Sequence, residues 1–267
     1  MRKKDIEKII NKIAYMRHDE IQRRYKDHVY LRKKGKGVSK ALKGDVVLIV
    51  FYVNDGESKW TKADIEASKK TYNSAFSLLY TLAEGRYVDL KLRCAFQEIS
   101  VPMVCTRENR REWRKAISGL FNKSSLTEYQ EYYKKKYNCD EAPIIFTFNR
   151  DFRSYAVSDD DEKSTCDEFS VIRSNCSEKT IIHELLHQFG AVDFYFPKEV
   201  AKVLEEMEYK SVMNGDMAEA IDALTAYLIG WTDWITDKAA TILEKTKHYT
   251  PDMLAEAKKQ EWNKSGN

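Results

Sequence analysis

Proline occurs only four times in the 267 residues, and glycine only ten times. So few breakers leave little room for long irregular loops and favour a chain dominated by regular elements, many of them helical. Cysteine is scarce too. Its number, five, is odd, and no pair is spaced CxxC. That argues against a disulfide framework and against a cysteine-built zinc module. Reduced thiols in a reducing compartment are the simplest reading, which makes a cytoplasmic location the default expectation. Cys166 and Cys176 flank an expected strand and could pair if the protein is exported, a route that stays open. No run approaches the roughly 20 apolar residues of a membrane span. The basic start, MRKKDIEKII, lacks the uninterrupted apolar core of a signal peptide, so none is expected. Histidine is rare as well, with five in all.

What is present suits a folded α/β protein. Hydrophobic residues make up 43% of the chain and aromatics 12%, enough to build a sizeable core, while 33% of residues are charged and must cover its surface. The net charge of +3 hides an asymmetry. Residues 1–43 hold 15 Lys/Arg against 5 Asp/Glu, a balance of +10, which leaves −7 for the rest. Two parts are therefore expected: a basic arm over 1–43 and a main domain over 44–267. Within the arm, Ile6, Ile9, Ile10, Ile13, Ile21, Tyr25 and Val29 recur near helical spacing, which predicts an amphipathic helix over 3–33. Its apolar stripe would pack on the main domain or on a second copy. Contact with nucleic acid or an anionic surface through its Lys and Arg residues is the sharper alternative, and no aromatic–basic interleaving favours it.

Val46–Val53 (VVLIVFYV) is a continuous, β-branched apolar run, as in a strand covered on both faces. Helices are expected over Thr61–Ala83, 108–121 and 125–137. In the last of these, Ser125 and Glu128 have capping-box spacing. Further strands are expected over Val88–Val101, Ile144–Phe148 and Phe169–Ile172, with Arg153–Val157 as a short edge strand and Ser158–Glu162 as an acidic loop. The alternation of strand and helix implies a mixed twisted sheet layered with helices.

Residues 180–195 read TIIHELLHQFGAVDFY. His183 and His187, four apart, lie on one face of a helix one turn apart, where both imidazoles can reach one cation. Glu184, beside the first, can approach a water at that cation without being a ligand. Gly190 allows the left-handed conformation that stops a helix and turns the chain. Asp193 can then swing back as a third ligand. HExxH alone arises by chance in a chain this poor in histidine at a level of about 1%, and the Gly190 and Asp193 offsets lower this roughly a hundredfold further. Two of the five histidines fall inside the motif.

HELLHQFGAVD resembles the extended zinc motif of the metzincin metallopeptidases, in the HExxHxxGxxD variant shared by snapalysin-like bacterial enzymes. Ser211-Val212-Met213-Asn214 looks like the Met-turn of that clan, with Leu224–Trp231 as the helix leading out of it. The resemblance implies a metzincin-like catalytic domain. Its upper part, about 44–190, would carry the sheet, with an edge strand above the active-site helix. Its lower part, about 191–267, would hold the Met-turn and C-terminal helices. It implies Zn2+ bound by His183, His187 and Asp193, with Glu184 as general base, Gly190 at the turn and Met213 beneath the metal. It also implies a peptide or protein substrate lying extended along Arg153, Ser154, Tyr155 and Ala156. In some metzincins a tyrosine follows the Met-turn methionine by two residues, but here Gly215 stands there. Two other readings stay open. One is a zinc amidase or deacylase acting on a non-protein substrate. The other is a non-catalytic interaction protein with a metal site.

Overall fold

The computed structural model of the protein describes residues 17–157, 167–195, 197–215 and 218–264. A five-stranded sheet forms its frame. The strands are β1 (Gly44–Asn54), β2 (Leu90–Ser100), β3 (Ile144–Phe148), β4 (Tyr155–Val157) and β5 (Phe169–Arg173), in the order β2-β1-β3-β5-β4. All neighbours are parallel except β4, which runs antiparallel to β5 at one edge. The expected second strand loses its first two residues: Val88 and Asp89 belong to the connection that enters β2.

β1 shows why an unbroken apolar run was needed at the centre of this sheet. Its side chains alternate between two cores. Val46, Leu48, Val50 and Tyr52 enter one, and Val47, Ile49, Phe51 and Val53 enter the other. All eight are at most 1% exposed, so both faces are covered. The second core is closed by α3 (Arg110–Leu120) and α4 (Leu126–Tyr137), whose Trp113, Ile117, Leu126 and Tyr129 are buried there. The first is closed by α2 (Lys62–Glu84), α5 (Glu178–His187) and the C-terminal helices α7 (Ala223–Leu228) and α8 (Asp237–Lys245). Helices α6 (Lys198–Glu206) and α9 (Pro251–Lys264) complete the element order.

The caps refine the sequence reading. Ser125 does cap α4, accepting from the Glu128 N–H, but the Glu128 carboxylate turns to the Ser124 N–H and hydroxyl instead of closing a box. A full capping box forms at α2, where Thr61 and Asp64 exchange both bonds.

The arm departs more clearly from its expected course. The helix over 17–25, α1, stops there, not at Lys33, and residues 1–16 lie outside the described part. The chain turns through 26–30 because its apolar groups face the main core. Tyr25, Val29 and Tyr30 are buried in the same cluster as α5 and α8. Tyr25 and Arg24 both bond the Glu244 carboxylate, at 2.6 and 2.7 Å. His28, 8% exposed, accepts the Tyr30 N–H on Nδ1 and pairs through Nε2 with the Thr246 hydroxyl. Nδ1 therefore carries no proton and the ring is neutral.

Burial holds the His28 pKa down at about 4, below its ordinary value of 6.5. An unfolded chain protonates this group below 6.5 whereas the folded chain resists, so its contribution is complete above pH 6.5 and is lost as pH falls toward 4. The loss should reach up to about 3 kcal/mol. Urea unfolding at pH 7 and pH 4.5, for wild type and His28→Gln, measures it: the variant should lose less stability on acidification. Equal losses would contradict the assignment.

Candidate metal centre

α5 is fixed beneath the sheet by both apolar and polar contacts. Ser177 caps it, accepting the Thr180 N–H, and Ile181, Ile182, Leu185 and Leu186 are all buried. The Ser170 hydroxyl of β5 donates to the Glu184 backbone carbonyl at 2.7 Å. Gln188, 1% exposed, bonds both the N–H and the C=O of Ile144 at the start of β3, and its amide also donates to Ser170. The helix that carries the motif is thus tied to two strands independently of its own side-chain chemistry.

On its buried face, His183 and His187 bring their Nε2 atoms to 3.2 Å. The chain leaves the helix through Gly190, at φ +92°, and returns Asp193, whose Oδ1 lies 3.0 Å from His183 Nε2 and 3.1 Å from His187 Nε2. The three atoms form a nearly equilateral triangle. A tetrahedral cation with bonds of about 2.0–2.1 Å holds its ligand atoms about 3.4 Å apart, close to the spacing found.

The second nitrogen of each ring confirms the direction of the lone pairs. His183 Nδ1 is 2.9 Å from the Val212 carbonyl and His187 Nδ1 is 2.9 Å from the Ala191 carbonyl. A carbonyl only accepts, so each Nδ1 carries a proton, and in the neutral ring Nε2 turns a lone pair to the centre. Asp193 Oδ1 is buried between the two rings, within ion-pair distance of both. Three acceptors facing one point demand positive charge. Burial opposes charging His183, yet the Asp193 carboxylate outweighs it and raises that pKa to about 9. Burial likewise opposes the Asp193 anion, but the neighbouring imidazoles hold its pKa well below the ordinary value. The donor set fits a divalent metal, which would supply the charge directly.

His183, Glu184 and His187 form a group that could hold a metal ion, their ligand atoms all within 4.8 Å of one another. Of the two carboxylates, Asp193 lies at ligand spacing from both rings. Glu184 is 7% exposed, and burial raises its pKa against the opposing effect of both histidines.

Beneath the site, Met213 is fully buried in a turn whose Asn214 N–H bonds the Ser211 carbonyl. Val212, in the same turn, provides the carbonyl that orients His183, and Met213 accepts the Phe194 N–H next to Asp193. Asp222, which no motif singles out, locks this turn. Its carboxylate accepts the hydroxyls of Tyr209, Ser211 and Thr225 and caps α7 through the N–H groups of Leu224 and Thr225.

The edge segment has mixed roles. Ala156 pairs with Ser170, and β4 ends the sheet order, so its outer side has no strand neighbour among the described residues. Arg153 is exposed and donates to the Tyr195 hydroxyl at 3.3 Å. Ser154 is buried and accepts the Arg173 N–H. Tyr155 packs against the second core with Arg107 over its ring, and burial raises its pKa to about 12. Its side chain is thus turned to the core, and its backbone belongs to the edge.

Tyr195 is the residue that the sequence reading passed over. Its ring stacks on His183, with centroids 6.1 Å apart and planes at 25°, and burial raises its pKa. The available signal is its position two residues after Asp193. Cys166 lies outside the described residues, and Cys176 is a free, buried thiol. No helix among the described residues is long and apolar enough to cross a membrane. No protein-family model matches the chain, and no curated protein matches it either.

Proposed function

We propose that this chain is a zinc-dependent metallopeptidase of metzincin type. The observation that carries the reading is the triangle of His183 Nε2, His187 Nε2 and Asp193 Oδ1, with the buried Glu184 carboxylate beside it. Three protein ligands favour a catalytic role, since a structural zinc site is ordinarily closed by four. The Met213 turn and the outer edge of β4, which has no strand neighbour among the described residues, support the same reading.

Zinc held by these three residues supplies a Lewis acid that acidifies water and polarises a carbonyl. Glu184 takes a proton from the attacking water and passes it to the leaving amine nitrogen. Burial, which raises its proton affinity, suits that shuttle. The edge of β4 offers backbone groups to an extended peptide, a recognition mode that favours polypeptide over small acyl substrates. Tyr195 is placed to donate to the oxyanion as the carbonyl is attacked. Arg153 has only donors to offer, so the phenol accepts in their shared bond, and the guanidinium offsets part of the rise that burial imposes on its pKa.

The test is digestion of an unstructured protein such as casein, with new N-termini read by mass spectrometry. Cleavage should stop on chelation and return with zinc. Cleavage indifferent to chelation would refute the proposal. Tyr195→Phe should lower kcat by about 10²-fold with little change in KM. An unchanged kcat would remove Tyr195 from the mechanism.

A further inference from the structure

Residues 30–42 cross the molecule as a strap, sewn down along their length. Glu168 accepts the Val38 and Ser39 N–H groups, Glu141 accepts that of Lys40, and the Leu42 N–H bonds the Ile229 carbonyl. Near its start, the strap passes directly behind the turn that carries Asp193. A side chain at Gly190 would place its Cβ 2.8 Å from the Lys33 carbonyl oxygen. The Tyr30 ring, 1% exposed, meets Phe194 edge-on at 6.5 Å. Gly190 and Phe194 bracket the ligand.

The chain between the end of α5 and the start of α6 has no helix or strand of its own among the described residues. Asp193 is therefore positioned by what packs around it. One support is the helix end, where Ala191 N–H bonds the Leu186 carbonyl. A second is the Met213 carbonyl under Phe194. The third is the strap. We infer that Tyr30 and the Lys33 backbone are positioning groups for the third metal ligand, so that metal occupancy and docking of the strap are thermodynamically linked. The inference rests on the metal-site reading. Linkage is reciprocal: whatever loosens the strap weakens the metal, and bound metal holds the strap down by the same factor.

Trypsin reads the second half of that statement, because Arg32, Lys36 and Lys40 are exposed cleavage sites on the strap. On the wild-type chain, saturating zinc should slow cleavage at these three bonds about tenfold, as followed by fragment mass, with a zinc-insensitive peptide as protease control. Conversely, Tyr30→Leu should weaken zinc binding about tenfold in chelator competition, the loss typical of groups that position a ligand. Tyr30→Phe keeps the ring and discards a buried hydroxyl that has no hydrogen-bond partner, so it should bind zinc as the wild type does. Metal bound stoichiometrically with no change in strap cleavage overturns the linkage and leaves the metal site standing. Zinc affinity unchanged in a folded Tyr30→Leu does the same. Should that variant not fold, the wild-type protease comparison decides alone. A wild-type chain that takes up no zinc overturns the metal reading itself, and the linkage with it.

Discussion

Glu184→Gln is expected to lower turnover about 10³-fold while the protein keeps its fold and its metal. Glutamine has the same size and shape as glutamate and cannot take a proton from water at neutral pH. The fold is protected because the contact that fixes this position in α5 is the Ser170 bond to the Glu184 backbone carbonyl, which the substitution leaves alone. Metal should be retained because the close triangle consists of His183, His187 and Asp193. Removing a buried carboxylate beside that triangle does take away one negative charge, so affinity can shift modestly. The measurement is kcat on a quenched fluorescent peptide, with metal content determined on the same preparation. A variant that turns over near the normal rate with full metal would sink the general-base assignment. Full loss of activity together with loss of metal would mean that Glu184 is a ligand.

Much of this arrangement was readable from spacing, because it depends on local periodicity. The i, i+4 pair His183 and His187 had to share a helix face, and the glycine three residues later had to end the helix, as its φ of +92° shows. The apolar run of β1 had to be covered on both faces, and it is. The parts that stayed hidden depend on contacts between residues far apart in sequence. Tyr25 and Val29 have helical spacing, yet the helix ends at Tyr25 and the chain turns into the core, because Glu244, Thr246 and Phe194 lie there to receive Tyr25, His28 and Tyr30. Asp222 looks like an ordinary N-cap until Tyr209 and Ser211 are seen to share its carboxylate. Tyr155 has the strand alternation expected of an edge, but which side of the sheet it faces follows from register with Val171, a long-range fact. The basic character of the arm was plain, while its role as a strap behind the metal turn was not. That placement comes from the Lys33 carbonyl against Gly190 and the Tyr30 ring against Phe194, contacts between segments far apart in sequence.

Asp193→Ala should remove the metal. Under zinc buffering that saturates the wild type at about one ion per chain, the variant should retain almost none, an affinity loss above about 10²-fold, since losing mere outer partners already costs 10- to 100-fold. The argument concerns charge as well as ligand number. With Nδ1 of each ring held as donor by Val212 and Ala191, both Nε2 lone pairs point at one place 3.2 Å apart. Asp193 is the anion that makes a cation welcome there; without it, two neutral imidazoles remain in a buried site beside Glu184. Glu184 is a carboxylate near enough to move into the vacancy, with ligand atoms within 4.8 Å of both histidines. Elemental analysis of Asp193→Ala and of Asp193→Ala with Glu184→Gln therefore separates two outcomes. If both variants are empty, Asp193 is the third ligand and Glu184 keeps only its proton-transfer role. If the single variant keeps its ion and the double variant loses it, Glu184 can ligate, and the assignment of the two carboxylates must be exchanged. The loss of activity predicted for Glu184→Gln would then reflect a broken coordination sphere, which is why metal content has to be measured alongside rate in both experiments.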